Sequence, residues 1–216
     1  MSMAPSSTPP TIWGRVNSSN VMKVLWLCAE LGIEPRRIDA GMEFGRVRDP
    51  DYLAMNPNAR VPTLSEADGF TLWESNSICR YLCRTRAPES PIYPEAPRAR
   101  ADVERWMDWQ LATLATGMTP LFWGLVRTPE PERNPKALAR ALDDASAAWR
   151  IVEARLEGRE HVCGGLTLAD VALGPFLHRW FELPTARPDL PRLRGWYERL
   201  RARPAYATHV AGVPMT

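Results

Sequence analysis

Lysine is almost absent from this chain of 216 residues. Lys23 and Lys136 are the only two, and the other 25 of the 27 basic residues are arginine. Acidic residues number 25, so the net charge is +2, and a chain this close to neutral is not expected to bind nucleic acid non-specifically. Because the arginines are scattered along the sequence, we interpret the skew toward arginine as the base composition of the gene and not as a phosphate-binding surface.

Cysteine and histidine are also scarce, and neither follows a metal-binding pattern. The four cysteines (Cys28, Cys79, Cys83 and Cys163) form no Cys-x-x-Cys pair, and the three histidines do not cluster, so no metal site is predicted. Few unpatterned cysteines are typical of a reducing cytoplasm, which is the predicted location. Cys79 and Cys83 are four residues apart on a predicted helix, and we interpret both as small buried hydrophobic residues.

Long apolar runs are missing as well. None reaches the roughly 18–20 residues that a membrane-spanning helix needs, so no membrane partner is expected. Residues 1–10 are rich in serine and proline and have no charged or apolar region typical of a secretory signal, which predicts a disordered tail. With 45% apolar residues, the rest of the chain has enough material for a core of one large or two small domains.

A proline-rich segment divides the chain into two parts of different character. Residues 11–87 alternate short strand-like and helical stretches and predict an α/β domain with four strands, at 11–13, 34–39, 60–64 and 70–73. Its helices are predicted after Asn20 and from Ser75, with turns between the second strand and Pro57. Residues 88–97 contain several prolines and predict a stiff linker.

Residues 98–216 predict an all-helical domain. Helical patterns cover 98–118, 135–156 and 191–203, and Thr167 with Asp170 has the spacing of a capping box.

Polar side chains gather at the predicted start of the first helix, in Asn17-Ser18-Ser19-Asn20. Free backbone N–H groups and the helix dipole favour an anion at such a point. Capping of the helix by Ser19 or Asn20 is the simpler alternative.

Two further clusters lie at the ends of predicted strands. Pro62 follows Val61 inside a strand-like run, where the peptide bond is either cis, exposing the Val61 backbone to a ligand, or an ordinary trans edge-strand bond. Glu74 and Ser75 precede the second helix, where a carboxylate and free N–H groups suit the ammonium and carboxylate of an amino acid, although Ser75 also suits a simple N-cap.

Taken together, these clusters resemble the cytosolic glutathione transferases, specifically the bacterial serine/asparagine, theta/nu-like type. The resemblance rests on Asn56-Pro57-Asn58-Ala59-Arg60-Val61-Pro62-Thr63-Leu64, on Glu74-Ser75-Asn76-Ser77-Ile78, on Thr167-Leu168-Ala169-Asp170 and on Arg203-Pro204-Ala205, and it covers about residues 11–210. It implies a thioredoxin-like N-terminal domain on an all-helical C-terminal domain, usually as a homodimer, with glutathione as cosubstrate and no metal.

The resemblance also assigns roles to individual residues. Val61 is expected to pair through its backbone with the cysteinyl part of glutathione, before a cis Pro62. Glu74 and Ser75 are expected to hold the γ-glutamyl end, and Arg60 to meet the glycine carboxylate.

Three neighbouring residues are candidates for the catalytic position. Ser18 aligns with the serine or threonine of the serine-type groups and Asn20 with an assisting asparagine, while Ser19 replaces a common proline, so a shift to Ser19 stays open. The expected role is to stabilise the glutathione thiolate.

The acceptor site is expected from the loop after the first strand and the first long helix of the second domain. Trp106, Trp109 and Thr113 share one helical stripe, and Trp13, Arg15, Phe122 and Trp123 add to it. An aromatic pocket suits an apolar or aromatic electrophile. The alternative is that these tryptophans belong to the core or to an interface.

Three functions follow from the resemblance. The first is a detoxifying glutathione transferase that conjugates glutathione to an electrophile. The second is a glutathione-dependent disulfide reductase, dehalogenase or isomerase. The third, of another class, is a non-catalytic module that binds glutathione or a partner protein.

Overall fold

The computed structural model describes residues 8–216, and the predicted tail lies mostly outside the described residues. Within residues 8–216, four strands and nine α-helices are arranged in this order: β1 (Thr11–Trp13), α1 (Ser19–Glu30), β2 (Arg36–Ile38), α2 (Pro50–Met55), β3 (Thr63–Ser65), β4 (Thr71–Trp73), α3 (Ser75–Arg86), α4 (Pro97–Trp109), α5 (Ala115–Phe122), α6 (Pro135–Arg155), α7 (Leu168–Glu182), α8 (Pro191–Arg201) and α9 (Pro204–Tyr206).

The strands form one mixed sheet in the order β2-β1-β3-β4. β1 pairs with β2 in parallel, while the pairs β1–β3 and β3–β4 are antiparallel. Ile12 and Leu64 lie opposite each other at the centre, and both are fully buried. Gly69 has φ +90°, which is the left-handed conformation that the predicted hairpin between β3 and β4 needs. This is the thioredoxin-like arrangement, and it confirms the predicted fold class.

Two sequence-based boundaries in this domain are wrong. Pro50–Met55 form α2 and not a turn, because Asp49 takes the N-cap position and Pro50 the first helical position, where its missing N–H is not needed. The third strand starts at Thr63 and not at Arg60, since the carbonyl of Arg60 accepts hydrogen bonds from side chains and so leaves the strand ladder.

Helical structure is continuous from Pro97 to Arg127, nine residues beyond the predicted end. Two π-helical turns, Gln110–Leu114 and Trp123–Arg127, flank α5. Gly117 and Pro120 within α5 obscure this continuity in the sequence. A π turn widens the helix and is frequent at functional sites.

The capping box at the start of α7 is present and buried. Asp170 is 0% exposed, and its carboxylate accepts hydrogen bonds from the backbone N–H of Thr167 (2.9 Å) and the hydroxyl of Thr167 (3.1 Å). It also accepts from the Val162 N–H and the indole N–H of Trp196. This carboxylate therefore joins the start of α7 to α8 and to the turn before α7.

The apolar core runs through both parts of the chain. Cys28, Cys79 and Cys83 belong to it, which confirms their interpretation as buried hydrophobic residues. Burial raises the pKa of the Cys28 thiol to about 12, so this thiol is not ionised at neutral pH. No helix within residues 8–216 is long and apolar enough to cross a membrane.

The packing of α5 against α6 depends on Gly117. A Cβ atom at this position would lie 2.6 Å from the backbone nitrogen of Ala145, so Gly117→Ala should force the two helices apart. We expect it to lower the free energy of unfolding by about 1–3 kcal/mol, measured by urea denaturation.

Gly195→Ala on α8 is the matched control, because its Cβ would meet nothing nearer than Arg199 Nη1 at 3.4 Å. That variant should gain about 0.5–1 kcal/mol from helix propensity. Equal free energies of unfolding for the two variants would contradict the conclusion that the packing of α5 against α6 requires glycine at position 117.

Candidate functional site

Three loops meet at one end of the sheet because of the strand register. Trp13, the last residue of β1, is paired with Thr63, the first residue of β3, and Thr63 is paired with Trp73, the last residue of β4. The segment after β1, the segment before β3 and the segment after β4 are therefore neighbours. These are the three polar clusters singled out in the sequence.

The start of α1 carries polar side-chain groups that have no hydrogen-bond partner among residues 8–216. Ser18 occupies the N-cap position but its hydroxyl makes no capping bond, and Asn20 Oδ1 is buried with no hydrogen-bond partner among the described residues. The first bond of the helix is Met22 N–H to Ser18 C=O, so the N–H groups of the three preceding residues lie at the open helix end. Simple capping by Ser19 or Asn20 is thus not what these residues do.

Ser19 is engaged differently from Ser18. Its hydroxyl accepts a hydrogen bond from Nη1 of Arg179 on α7 (3.3 Å), and Nη2 of Arg179 donates to the carbonyl of Asn17 (3.0 Å). Arg179 therefore holds the loop before α1 against the helical domain. Burial, followed by the charges of Arg127 and Arg15, lowers its pKa to about 9, which still leaves it protonated at pH 7.

The Val61–Pro62 peptide bond is cis, as predicted. The carbonyl of the preceding residue, Arg60, accepts hydrogen bonds from the Tyr52 hydroxyl (2.7 Å) and from Nδ2 of Asn56 (2.9 Å). Within the described part of the chain, the N–H and C=O of Val61 form no hydrogen bond. The loop is thus held by its neighbours, while the main chain of Val61 is left available.

Glycine at position 14 permits the close approach of this loop to α1. A Cβ atom on Gly14 would lie 3.1 Å from Cβ of Val61 and 2.5 Å from a methyl group of Val21. No larger residue fits without moving one of them.

Glu74 and Ser75 lie at the start of α3, but in different roles from those of a simple cap. Glu74, not Ser75, is at the N-cap position; it has φ +70° and makes no side-chain capping bond. Ser75 is the first helical residue and is 3% exposed. The left-handed conformation of a non-glycine residue at a helix start is uncommon and marks this position as a functional candidate.

A cavity of about 270 Å³ lies between the two domains, beside the start of α1 and Arg60. Its walls come from the loop and start of α1, from the segment Gln110–Arg127 and from α7. The lining residues are Arg15, Ser18, Ser19, Asn20, Arg60, Gln110, Leu111, Ala115, Thr119, Phe122, Trp123, Arg127, Phe176 and Arg179. A larger cavity of about 590 Å³, near Cys163 and the Glu30–Arg203 ion pair, contains no residue of the three clusters.

The expected acceptor residues divide into two groups. Arg15, Phe122 and Trp123 line the cavity, whereas Trp13, Trp106, Trp109 and Thr113 are not among its lining residues.

The residues outside the cavity have other surroundings. Trp106 is 8% exposed and packs edge-on against Trp109 in the core, which is the alternative considered for the tryptophans. Trp13 donates its indole N–H to Ser65 on the sheet (3.0 Å), and Thr113 is exposed. The geometry does not support these four as acceptor-binding residues.

Arg127 and Arg179 are site residues that the sequence analysis did not single out. Arg15, Arg127 and Arg179 are 112 and 52 residues apart along the chain, yet all three line one cavity. Their scatter in the sequence therefore says nothing about their scatter in space. No local motif marks them, because the folding of α7 and of the Trp123–Arg127 turn onto α1 brings them together.

Lys23 is a second residue that the sequence did not mark. It is fully buried beneath the site, and its ammonium donates to Gln110 Oε1 (2.5 Å) and to Asn76 Oδ1 (3.3 Å). Burial lowers its pKa to about 7. Asn76 in turn donates to the carbonyl of Met107 (2.9 Å), so this network joins α1, α3 and the α4–α5 segment.

The fold and the arrangement of this site together define a thioredoxin-like domain joined to a helical domain with a cleft between them. The N-terminal domain model of the glutathione S-transferases matches residues 8–84, and the C-terminal domain model matches residues 135–199. The chain belongs to the glutathione S-transferase family.

Individual relatives agree with this. Glutathione S-transferase GstB of Escherichia coli is 38% identical over 197 residues, covering 90% of this chain and 94% of the relative. The crystal structure of the theta class glutathione S-transferase from Xanthomonas axonopodis pv. citri with glutathione bound has a TM-score of 0.91 and 45% identity, covering 97% of this chain and all of that one. Glutathione S-transferase 3 of Zea mays is 28% identical, with 96% of each chain covered.

A variant of Tyr52 tests whether its hydroxyl stabilises the loop that contains Val61. Tyr52→Phe removes one donor from the Arg60 carbonyl and should cost about 1 kcal/mol of stability. Because the loosened loop is the expected partner of glutathione, we also expect the dissociation constant for glutathione, measured by calorimetry, to rise several-fold.

Tyr81→Phe is the control, since its hydroxyl bonds Glu66 on the far side of the hairpin. It should lose similar stability with unchanged glutathione affinity. An equal change of the dissociation constant for glutathione in the two variants would refute the proposed role of the loop.

Proposed function

We propose that this glutathione transferase binds glutathione across the open end of the sheet, ionises its thiol at the start of α1 and transfers it to an electrophile in the adjoining cavity. The observation that carries the proposal is the set of unpaired polar groups at the start of α1, beside a cavity rich in arginine. Protein groups left without a partner at a helix start favour an anionic ligand.

The energy required for ionisation is within reach of these groups. A free thiol has a pKa near 8.5, so about 3% is thiolate at pH 7. Lowering the pKa by about two units costs roughly 2.7 kcal/mol. One hydrogen bond to a charged group supplies about 1.5–3 kcal/mol, and the helix dipole adds about 0.3–1 kcal/mol. The buried charge of Arg179, next to Ser19, acts in the same direction.

Ser18 is the residue we propose as the donor to the thiolate. Its hydroxyl has no partner within residues 8–216, and the side chain lines the cavity. Asn20, whose Oδ1 is unpartnered, would orient the neighbouring water or the cysteinyl amide. Ser19 accepts from Arg179 and keeps its own proton, so it stays the alternative donor.

The remaining groups of glutathione have matching positions. The unpaired main chain of Val61 would form the two backbone bonds to the cysteinyl residue. Glu74 would bind the γ-glutamyl ammonium, and the Ser75 hydroxyl with the α3 N–H groups would bind its carboxylate. Arg60, which is exposed at the cavity rim, would meet the glycine carboxylate.

Conjugation is favoured over chemistry on an enzyme cysteine. In the described chain, no cysteine lines the cavity, and burial raises the pKa of Cys28, Cys79, Cys83 and Cys163. A disulfide reductase, dehalogenase or isomerase would therefore have to use the thiolate of bound glutathione. A purely non-catalytic module would have no need for a thiolate site.

Further properties are proposed from the family. We expect a homodimer in the cytoplasm with a role in detoxification. The exposed Phe70 and Trp73 at the edge strand β4 provide apolar surface for a second copy.

The role of Ser18 can be tested by titrating the thiol of bound glutathione through its ultraviolet absorbance. In Ser18→Ala, the pKa of the thiol should return toward 8.5, because the hydroxyl donor is lost. The value of kcat/KM at pH 7 should fall about ten- to a hundred-fold, with the pH–rate profile shifted upward.

Ser19→Ala serves as the comparison and should have the smaller effect. The reverse ranking would move the assignment to Ser19. Failure of the unmodified protein to bind glutathione in calorimetry would discard both enzymatic functions, and binding without any thiol ionisation would favour the non-catalytic module.

A further inference from the structure

The acceptor cavity has an excess of positive charge that glutathione does not account for. Four arginines line it (Arg15, Arg60, Arg127 and Arg179), and no aspartate or glutamate does, within the described chain. Such a lining is unusual for a site expected to take an apolar electrophile. The following inference rests on the proposed function and specifies its acceptor.

Two of the four arginines already have a structural or proposed binding role. Arg179 donates to Ser19 and to the Asn17 carbonyl and so supports the thiolate end. Arg60 is proposed for the glycine carboxylate. With Glu74 and Ser75 at the γ-glutamyl end, every charged group of glutathione has a partner, and Arg15 and Arg127 remain.

Neither of these two guanidinium groups forms an ion pair with an aspartate or glutamate side chain in the described structure. Nε of Arg15 and Nε of Arg127 are both buried without a hydrogen-bond partner. Arg127 donates to an oxygen of Thr216 (2.7 Å) and to the sulfur of Met42 (3.6 Å). Glu43 is close enough to Arg15 to favour its charged form, but it forms no ion pair with it.

The two charges also repel each other and Arg179. Burial and the charge of Arg127 lower the pKa of Arg15, and the charges of Arg127 and Arg15 contribute to the same shift in Arg179. A cluster of like charges with no aspartate or glutamate in the described lining of its cavity destabilises the free protein. A bound anion removes that cost, so the cluster favours an anionic ligand over a neutral one.

The cavity wall beside the cluster is aromatic. The guanidinium of Arg127 lies 4.9 Å from the ring centre of Trp123 and 5.5 Å from that of Phe122. These contacts hold Arg127 at the cavity wall and leave apolar surface next to it. An acceptor with both an apolar body and a charged end would match this surface.

We propose that the preferred electrophile carries a carboxylate, which Arg15 and Arg127 bind, while its apolar body lies against Trp123 and Phe122. The reactive carbon is then directed to the sulfur near Ser18. Arginine suits this task, because its planar fork of donors matches a carboxylate.

The reaction proposed for the test is substitution on a nitro-activated aryl chloride. The glutathione sulfur forms a bond to the ring carbon that carries chlorine, and the carbon–chlorine bond breaks. Chloride leaves with the electron pair, and the thiol proton is released to water. The carboxylate on the ring takes no part in the bonds that change.

Two matched acceptors test the proposal, one with a carboxylate on the ring and one with a carboxamide of the same shape in its place. Each kcat/KM is divided by the rate constant of the uncatalysed reaction with glutathione at the same pH, which removes the difference in intrinsic reactivity. We expect the corrected ratio of carboxylate to carboxamide to be well above one and to fall as salt is added.

Arg15→Gln and Arg127→Gln should each lower this ratio about ten- to a hundred-fold, the range of one hydrogen bond to a charged group. The loss should appear in KM for the carboxylate and not in KM for glutathione. Arg127→Lys keeps the charge and should recover part of the ratio. Arg140→Gln is the control, because its side chain is 87% exposed on α6 and is not among the residues that line this cavity.

The outcomes separate this inference from the proposed function. A corrected carboxylate-to-carboxamide ratio near or below one, with good turnover of the carboxamide, overturns the preference for an anionic acceptor. It leaves the proposed transferase function unaffected. A rise in KM for glutathione in the Arg15 and Arg127 variants also overturns it, since these residues would then serve the cosubstrate. Absence of glutathione binding overturns the proposed function itself.

If glutathione binds but neither aryl chloride reacts, calorimetry with two S-benzyl conjugates of glutathione shows whether the cavity prefers a carboxylate. One carries a carboxylate on its ring and the other a carboxamide. Tighter binding of the carboxylate, lost in Arg127→Gln, supports the proposal, and equal binding refutes it.

Discussion

The contact of Arg179 with the loop before α1 is the interaction on which the site depends. This buried guanidinium crosses from α7 in the helical domain to the hydroxyl of Ser19 and the carbonyl of Asn17. It also lies 3.8 Å from the ring centre of Phe122, so the same group contacts the cavity wall formed by the segment Gln110–Arg127. This bridge holds the loop before α1 against the helical domain, next to Ser18 and Asn20, whose side chains line the cavity.

A second network, beneath the first, keeps the domains in register. Lys23 bonds to Gln110 and to Asn76, and Asn76 bonds to the carbonyl of Met107. Gln110 also belongs to the π-helical turn that lines the cavity. A buried cation of this kind is tolerated only with good partners, because leaving it unpaired is costly. The cavity therefore lies where two buried basic side chains, Lys23 and Arg179, cross the domain boundary.

Local chemistry explains which parts of the site were predictable. The Val61–Pro62 turn, the Glu74–Ser75 helix start and the cluster at residues 17–20 are short motifs, and strand pairing brings them together without further information. The helical spacing of Trp106 and Trp109 indicates that they share a face but not what that face meets. In the structure Trp106 is buried in the core, and Trp109 is partly buried against it.

The sequence by itself identified the three polar clusters, because each consists of residues close together in the chain, and the family resemblance of these motifs gave the fold class and the cosubstrate. The tertiary structure decided that Ser18 is unpaired while Ser19 is engaged, and that Arg15, Arg127 and Arg179 share one cavity. Those facts depend on contacts between residues 52 or more positions apart, and electrostatic interaction follows distance in space. The positive charge of the cavity lining therefore depends on how the helices pack and could not be read from the sequence.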